Sequence, residues 1–425
     1  MTSRLLTTAV AALLALASRV VPAQEVHAAS TSPARRADAS AFLPGRLGRI
    51  DAFVARQMSE GRIPGAVVMI VRDGRVAYHK AYGSRDLGTN APQRVDDIFR
   101  IASQTKAITA LAVMMLWEEG RVLLDDPIEK YIPAFADQRV LTKFNAADSS
   151  YESRPAKRKT TIRQLLTHTS GLDYADIGSD EFRAIYGKAG ITALGRPGDV
   201  LGERIDVLAR LPLRADPGER FIYSLSSDVL GRLVEVVSGQ PLDTFFRTRI
   251  FEPLRMPDTF FAVPEAKRAR LVALHQPVEG QLVAAHAPDG GLTHPDFPLL
   301  HPTYFSGGGG LSSTTADYAR FLQLFLNGGE LDGVRLLGHK TVEMMLTNQI
   351  APLQPAFGLG FALETESNDF RQPLSVGSFE WGGAFKTTYW ADPREHLIGL
   401  IFTNVWGVDV ELGAPFKALV YSALR

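Results

Sequence analysis

Cysteine is absent from all 425 residues. That excludes disulfides, a thiolate nucleophile, a cysteine-ligated zinc site and a lipoprotein attachment point. Net charge is absent too, with 46 Lys+Arg against 46 Asp+Glu, so neither nucleic acid nor a charged membrane surface is an expected partner. The apolar run at residues 5–17 is too short to cross a bilayer. It follows Arg4 and precedes the small residues Val21-Pro22-Ala23, the pattern of a secretory signal peptide over residues 1–23. An exported, periplasmic or secreted protein is expected, with no stable membrane insertion and a disordered polar tether over residues 24–44. Two catalytic signatures are missing as well: no serine lies in G-x-S-x-G, and there is no H-E-x-x-H.

What is present is a chain that is 45% hydrophobic, enough for a substantial core. Residues 65–83, GAVVMIVRDGRVAYHKAYG, are two β-rich runs around Asp73-Gly74, a hairpin signal. Two more strands are expected around the turn at Asp392-Pro393, followed by a closing helix over residues 414–424. Between them the chain is helical and loop-rich, punctuated by Pro and Gly. These features predict an α/β (α+β) architecture in which one antiparallel sheet is assembled from both chain ends and flanked by helices, with a mainly helical subdomain inserted. The expected parts are residues 45–120 and 300–425 for the sheet domain and 121–299 for the helical part. The polar stretch 144–159 reads as a lid or a solvated loop.

Residues 99–120, FRIASQTKAITALAVMMLWEEG, read as a single helix that is apolar nearly all round, which belongs inside a core. Lys106 stands near its start, and no further charge occurs before Glu118. A buried unpaired ammonium is costly, so this lysine needs a reason to be there. Ser103 precedes it by three residues and shares its helical face. The pair forms S-x-x-K, in which a weak hydroxyl nucleophile gains a neighbouring base. A serine near a helix N-terminus sits where an oxyanion is favoured. The same dipole, together with burial, pushes the lysine toward its neutral form.

Further on, PGERFIYSLSSDVLG places Tyr223 just before a helical run, and FEWGGAFKTTYWADP sets Trp381-Gly382-Gly383 before Ala384 on an edge strand. With GRIPGAVVMIV, IFRIASQTKAIT, LDDPIEKYIP, TIRQLLTHTSGL, IFEPLRMPDTFF and GGGGLSSTTADYARFLQLFLNGG, these segments resemble the serine β-lactamase-like superfamily. The superfamily includes class C β-lactamases and penicillin-binding peptidases, and the resemblance is strongest to family VIII carboxylesterases. It runs from about residue 45 to the C-terminus. It implies Ser103 as nucleophile, Lys106 as its base and Tyr223 as proton-transfer partner. Backbone N–H groups of Ser103 and Ala384 would form the oxyanion hole, and Trp381, Gly382 and Gly383 would line the substrate site. It further implies a small ester or amide substrate and neither cofactor nor metal.

Two departures separate the chain from the β-lactam-processing branch. Where that branch carries Tyr-x-Asn, Leu225 closes the second motif, and Trp-Gly-Gly stands in place of Lys-Thr-Gly. Both weaken a β-lactamase or D-amino-acid peptidase reading, the first alternative. A catalytically silent binding protein, the second, would be expected to have lost Ser103, Lys106 or Tyr223. The near-matches Ser227-Asp228-Val229 and Lys386-Thr387-Thr388 read as helix-start residues and a strand-surface charge. His168 is expected to be a buried hydrogen-bonding residue beside a helix capped by Gly171, and Gly307–Gly310 a flexible turn. Of Tyr389 and Trp390, one is expected to pack inward.

Overall fold

The computed structural model describes residues 41–43, 45–285, 294–300 and 302–425. The expected signal peptide and nearly all of the tether lie outside the described residues. Residues 41–43, placed in the tether by sequence, are docked instead. Phe42 is buried against the sheet, and the Leu43 N–H donates to the Ala423 carbonyl at 2.7 Å.

Chain order runs α1 (Arg49–Ser59), β1 (Gly65–Arg72), β2 (Arg75–Asp86), β3 (Ala91–Pro92), α2 (Thr105–Glu118), α3 (Ile162–Leu166), α4 (Ser226–Ser238), α5 (Thr315–Leu326), β4 (Ala362–Leu363), β5 (Phe379–Gly382), β6 (Thr388–Asp392), β7 (Leu397–Phe402) and α6 (Gly413–Tyr421), with shorter elements between. The main sheet has the order β4-β5-β6-β7-β1-β2-β3. Its centre is the antiparallel pairing of β1 with β7, Val67 opposite Phe402, so the two chain ends do build one sheet. Asp73 and Gly74 both have positive φ, 52° and 69°. This is the left-handed geometry a two-residue hairpin turn needs to match strand twist.

Strand alternation separates two cores. Val67, Met69 and Val71 face one way and pack with α2 and α5, while Ala66, Val68 and Ile70 face α1 and α6. Tyr389 and Trp390 divide in the same way, and both are fully buried on opposite faces of the sheet. α2 is buried on every side from Thr105 to Leu116. At roughly 1.5–3 kcal/mol per large apolar side chain, it is a principal contributor to the core.

Several expectations change. Phe99–Arg100 is extended and pairs with Ser312–Ser313, Ser103 sits in a single tight turn, and α2 begins only at Thr105. The 144–159 stretch is not a loose loop: Arg139–Asn145 pairs with Ser150–Pro155. Arg154 anchors this hairpin by donating from both Nη atoms to the buried Asp216 carboxylate, at 3.1 and 2.7 Å. α3 ends in a left-handed residue at His168, φ 54°, not at Gly171.

Candidate active site

The site begins at a strained turn. Ala102 has φ 44°, a conformation that costs a non-glycine residue about 1–3 kcal/mol and persists only where packing enforces it. Ala102 is held by Leu274, Ala285 and Phe385, with Ala384 packed on the same cluster. The turn presents Ser103 at the threshold of α2, and one helical turn in, Lys106 is buried. The lysine Nζ donates to Ser103 Oγ at 3.3 Å, to Tyr174 Oη at 3.1 Å and to the Gly308 carbonyl at 2.7 Å. All three ammonium protons are therefore placed.

The electrostatics differ from the sequence expectation of a lysine pushed toward neutrality. Burial does act in that direction. The phenols of Tyr174 and Tyr223 and the Asp228 carboxyl outweigh it, so Lys106 titrates above an ordinary lysine and rests as an ammonium. Tyr174 is pushed up by burial and stays a neutral phenol.

Tyr223 lies against this group. Its ring is 4.7 Å from Lys106 Nζ, 5.4 Å from the ring of Tyr174 and 5.4 Å from that of Trp381. Its buried hydroxyl has no protein partner among the described residues. His168 closes the far side at 4.8 Å. The histidine Nδ1 accepts from the Ser224 N–H at 3.3 Å, and burial with the nearby Lys106 ammonium drives its pKa well down. It is a neutral structural histidine, as expected.

The edge of β5 completes the site. Gly383 follows β5 and has no room for a side chain: a Cβ there would lie 2.4 Å from the Ile101 carbonyl oxygen and 2.3 Å from Thr387 Oγ1. This contact brings the Trp381-Gly382-Gly383-Ala384 segment directly against the turn that carries Ser103. Ser103, Lys106, Tyr223, Trp381, Gly382, Gly383 and Ala384 thus belong to one locality. Lys386 stands in the turn after Gly383, with φ 67°, not on a strand. Leu225, where an asparagine would be needed to hold a β-lactam amide, is fully buried in the core.

Two further features complete the site: Tyr174, which no sequence signal marks, and the Gly307–Gly310 run, which the sequence does mark. Tyr174 comes from an irregular segment 68 residues from Lys106 and had no periodic signal to mark it. The Gly307–Gly310 run is a turn, as expected, and forms a largely buried strap beside Lys106. The Gly307 carbonyl accepts from Thr109 Oγ1 at 2.7 Å and that of Gly308 from Lys106. Among the described residues no three His, Asp or Glu side chains converge as a metal site, and no helix is long and apolar enough to cross a membrane.

Known proteins share this arrangement of fold and chain. The Beta-lactamase family profile matches residues 50–422. Esterase EstB of Burkholderia gladioli is 30% identical over 390 residues, covering 88% of this chain and 95% of that protein. The lovastatin esterase of Penicillium rubens is 31% identical over 395 residues, covering 87% and 96%. Among solved structures, EstCE1, described as a hydrolase with promiscuous acyltransferase activity, superposes with TM-score 0.75 at 27% identity, covering 88% of this chain and 98% of its own. A profile match over most of the chain, on a sheet built from both ends with an S-x-x-K turn at its edge, makes this protein a member of the Beta-lactamase family of hydrolase fold.

Proposed function

We propose that the protein is a serine carboxylesterase that cleaves short-chain esters through an acyl-enzyme on Ser103. The observation that carries this reading is the 3.3 Å contact of Ser103 Oγ with a fully committed Lys106 ammonium. It is supported by the esterase relatives.

Because Lys106 rests protonated, it serves as an electrostatic partner, and Tyr223 takes the proton. Tyr223 is suited to this because its hydroxyl has no hydrogen-bond partner among the described residues, whereas that of Tyr174 is engaged by Lys106. Ser103 Oγ attacks the ester carbonyl as its proton is relayed through Tyr223 Oη. That hydroxyl takes the serine proton and gives up its own to the departing alkoxide, with the Lys106 ammonium beside it. The Ser103 and Ala384 N–H groups hold the oxyanion, and the alcohol leaves. The same relay serves when water attacks the acyl-enzyme: Tyr223 Oη takes the water proton and gives its own to Ser103 Oγ as the acid leaves. An alcohol in place of water would give acyl transfer by the same steps, in keeping with the description of EstCE1.

Esters are favoured over β-lactams because the two groups that would grip a β-lactam are replaced, one by the core residue Leu225 and the other by Trp381-Gly382-Gly383. Purified enzyme offered p-nitrophenyl acetate, p-nitrophenyl butyrate and nitrocefin tests this. Ester turnover that disappears in Ser103→Ala, with negligible nitrocefin cleavage, supports the reading. Nitrocefin turnover exceeding that of the esters overturns it in favour of a β-lactamase.

A further inference from the structure

Behind the site lies a buried acid that the steps above do not use. Asp228, in the first turn of α4, is completely enclosed. Its Oδ1 accepts from Ser306 Oγ at 2.7 Å and from the Gly308 N–H at 3.3 Å, while Oδ2 has no partner among the described residues. A Cβ on Gly308 would lie 2.5 Å from Oδ2, so a glycine at 308 lets the carboxyl approach the strap face-on. The opposite side of the same peptide segment holds the catalytic group, since the Gly308 carbonyl accepts from Lys106 Nζ at 2.7 Å. Ser306 is itself tied to the Ala193 carbonyl at 3.2 Å, which fixes the strap from a second direction.

We propose that Asp228 is a positioning residue that acts on Ser103 through Lys106, pinning Ser306 and Gly308 so that the Gly308 carbonyl meets the ammonium, and supplying the buried negative charge that stabilises it. The proposal rests on the acyl-transfer reading of Ser103. Without Asp228, Lys106 would keep the Ser103 and Tyr174 hydroxyls and the Gly308 carbonyl as buried partners, and its ammonium would lose the favourable field of a buried carboxylate.

Burial pushes the Asp228 carboxyl up to about 6, with Ser306, Lys106 and the Gly308 N–H opposing the rise. The titratable groups facing it are Lys106 from α2, Tyr174 from the segment after α3 and Tyr304 from the segment before the glycine strap. α3 and the helices Leu201–Ala209 and Leu242–Phe246 also pack on α4, through apolar residues such as Leu165, Ile205 and Phe245. Asp228 is therefore ionised above about pH 6 and neutral below, and the site should lose activity as the acid is protonated.

The test is the pH dependence of kcat/KM for p-nitrophenyl butyrate in wild type, Asp228→Asn and Ser306→Ala, each checked for an unchanged thermal transition. Asparagine keeps an acceptor for Ser306 and Gly308 but removes the charge. We expect a fall of about tenfold or more at pH 8, carried by kcat with KM little changed, and loss of the acid limb near pH 6. Ser306→Ala removes a hydrogen bond that holds the carboxylate ionised, so its acid limb should move toward neutral pH. A purely structural role would lower activity by one factor at every pH. An Asp228→Asn enzyme that keeps the wild-type acid limb overturns the proposal, as does a Ser306→Ala limb that does not move. If Asp228→Asn does not fold, Ser306→Ala decides alone. A wild type whose Ser103 is never acylated overturns both this proposal and the esterase reading, while acylation with unmoved limbs overturns this proposal only.

Discussion

Gly383→Ala isolates the contact on which the site geometry depends. Adding one methyl group places a Cβ 2.4 Å from the Ile101 carbonyl oxygen, where ordinary contact begins near 3.4 Å. Thr387 Oγ1, the other obstacle at 2.3 Å, is a side-chain atom and can rotate away. Ile101 O is backbone, two residues before the nucleophile, and its position is fixed by the Ile101 N–H to Leu311 carbonyl bond at 3.1 Å. The strain is therefore relieved by moving the β5 edge away from the Ser103 turn by about 1 Å. On the proposed mechanism, that displacement takes the Ala384 N–H out of reach of the developing oxyanion. Removing one such donor costs about 100- to 1,000-fold in kcat, roughly 3–4 kcal/mol of transition-state stabilisation. Gly382→Ala is the matched control, because its Cβ would meet only the Thr387 carbonyl, at 3.2 Å. Steady-state hydrolysis of p-nitrophenyl butyrate by both variants, with circular dichroism to establish folding, reads the difference. A folded Gly383→Ala enzyme within about tenfold of wild type would refute the reasoning.

Three other outcomes follow from named residues. Tyr223→Phe should lose about 100- to 10,000-fold in kcat, the range for removing a general base. Tyr174→Phe, which deprives Lys106 of one acceptor, should lose markedly less; equal losses would put the proton on the wrong tyrosine. Leu225→Asn, which restores the Tyr-x-Asn pattern, should destabilise the fold by about 3–5 kcal/mol in urea titration, because it buries an unmatched amide in the core. It should confer no nitrocefin turnover. Asp317, buried beneath the Asp258 N–H and Thr259 hydroxyl, is pushed by burial up to about 7. The folded protein then holds a proton that the unfolded chain has released, so stability should fall as pH rises from about 4 to about 7 and level off above, by up to roughly 4 kcal/mol. Asp317→Asn should flatten that slope in chemical denaturation; an unchanged slope would show that another group is responsible.

Much of this molecule is legible in its sequence, for identifiable physical reasons. The β1–β2 hairpin is readable because alternation and Asp73-Gly74 are local signals, and the shared sheet because strand patterns at both chain ends need partners. Ser103 and Lys106 are readable because a charge on an all-apolar helix is anomalous. What was hidden is what depends on distance in the chain or on backbone atoms. Tyr174 meets Lys106 across an irregular connection, and the Gly308 carbonyl carries no residue-type signature at all. Asp228 does stand in the first turn of a helix, as its sequence neighbours suggest, but its bonds to Ser306 and the Gly308 N–H depend on the packing of the glycine strap against α4 and leave no local signal. The Arg139–Pro155 hairpin is hard to read because its apolar residues Val140, Leu141 and Phe144 do not alternate along the strand, although the structure packs them on the core. The charge on Lys106 depends also on Tyr174, Tyr223 and Asp228, which arrive from elsewhere in the chain and lie outside the local dipole and burial arguments.

The central claim is that Ser103 is acylated. Cleavage after Arg100 and Lys106 releases residues 101–106, IASQTK, a peptide in which Ser103 and Thr105 are the only hydroxyl side chains. Rapid acid quench of the enzyme turning over p-nitrophenyl butyrate, followed by peptide mass spectrometry with fragmentation, reads the site directly. A butyryl group on Ser103 that is absent from Ser103→Ala is the predicted result. Undiminished turnover by Ser103→Ala, or an acyl group on another residue, would contradict the account.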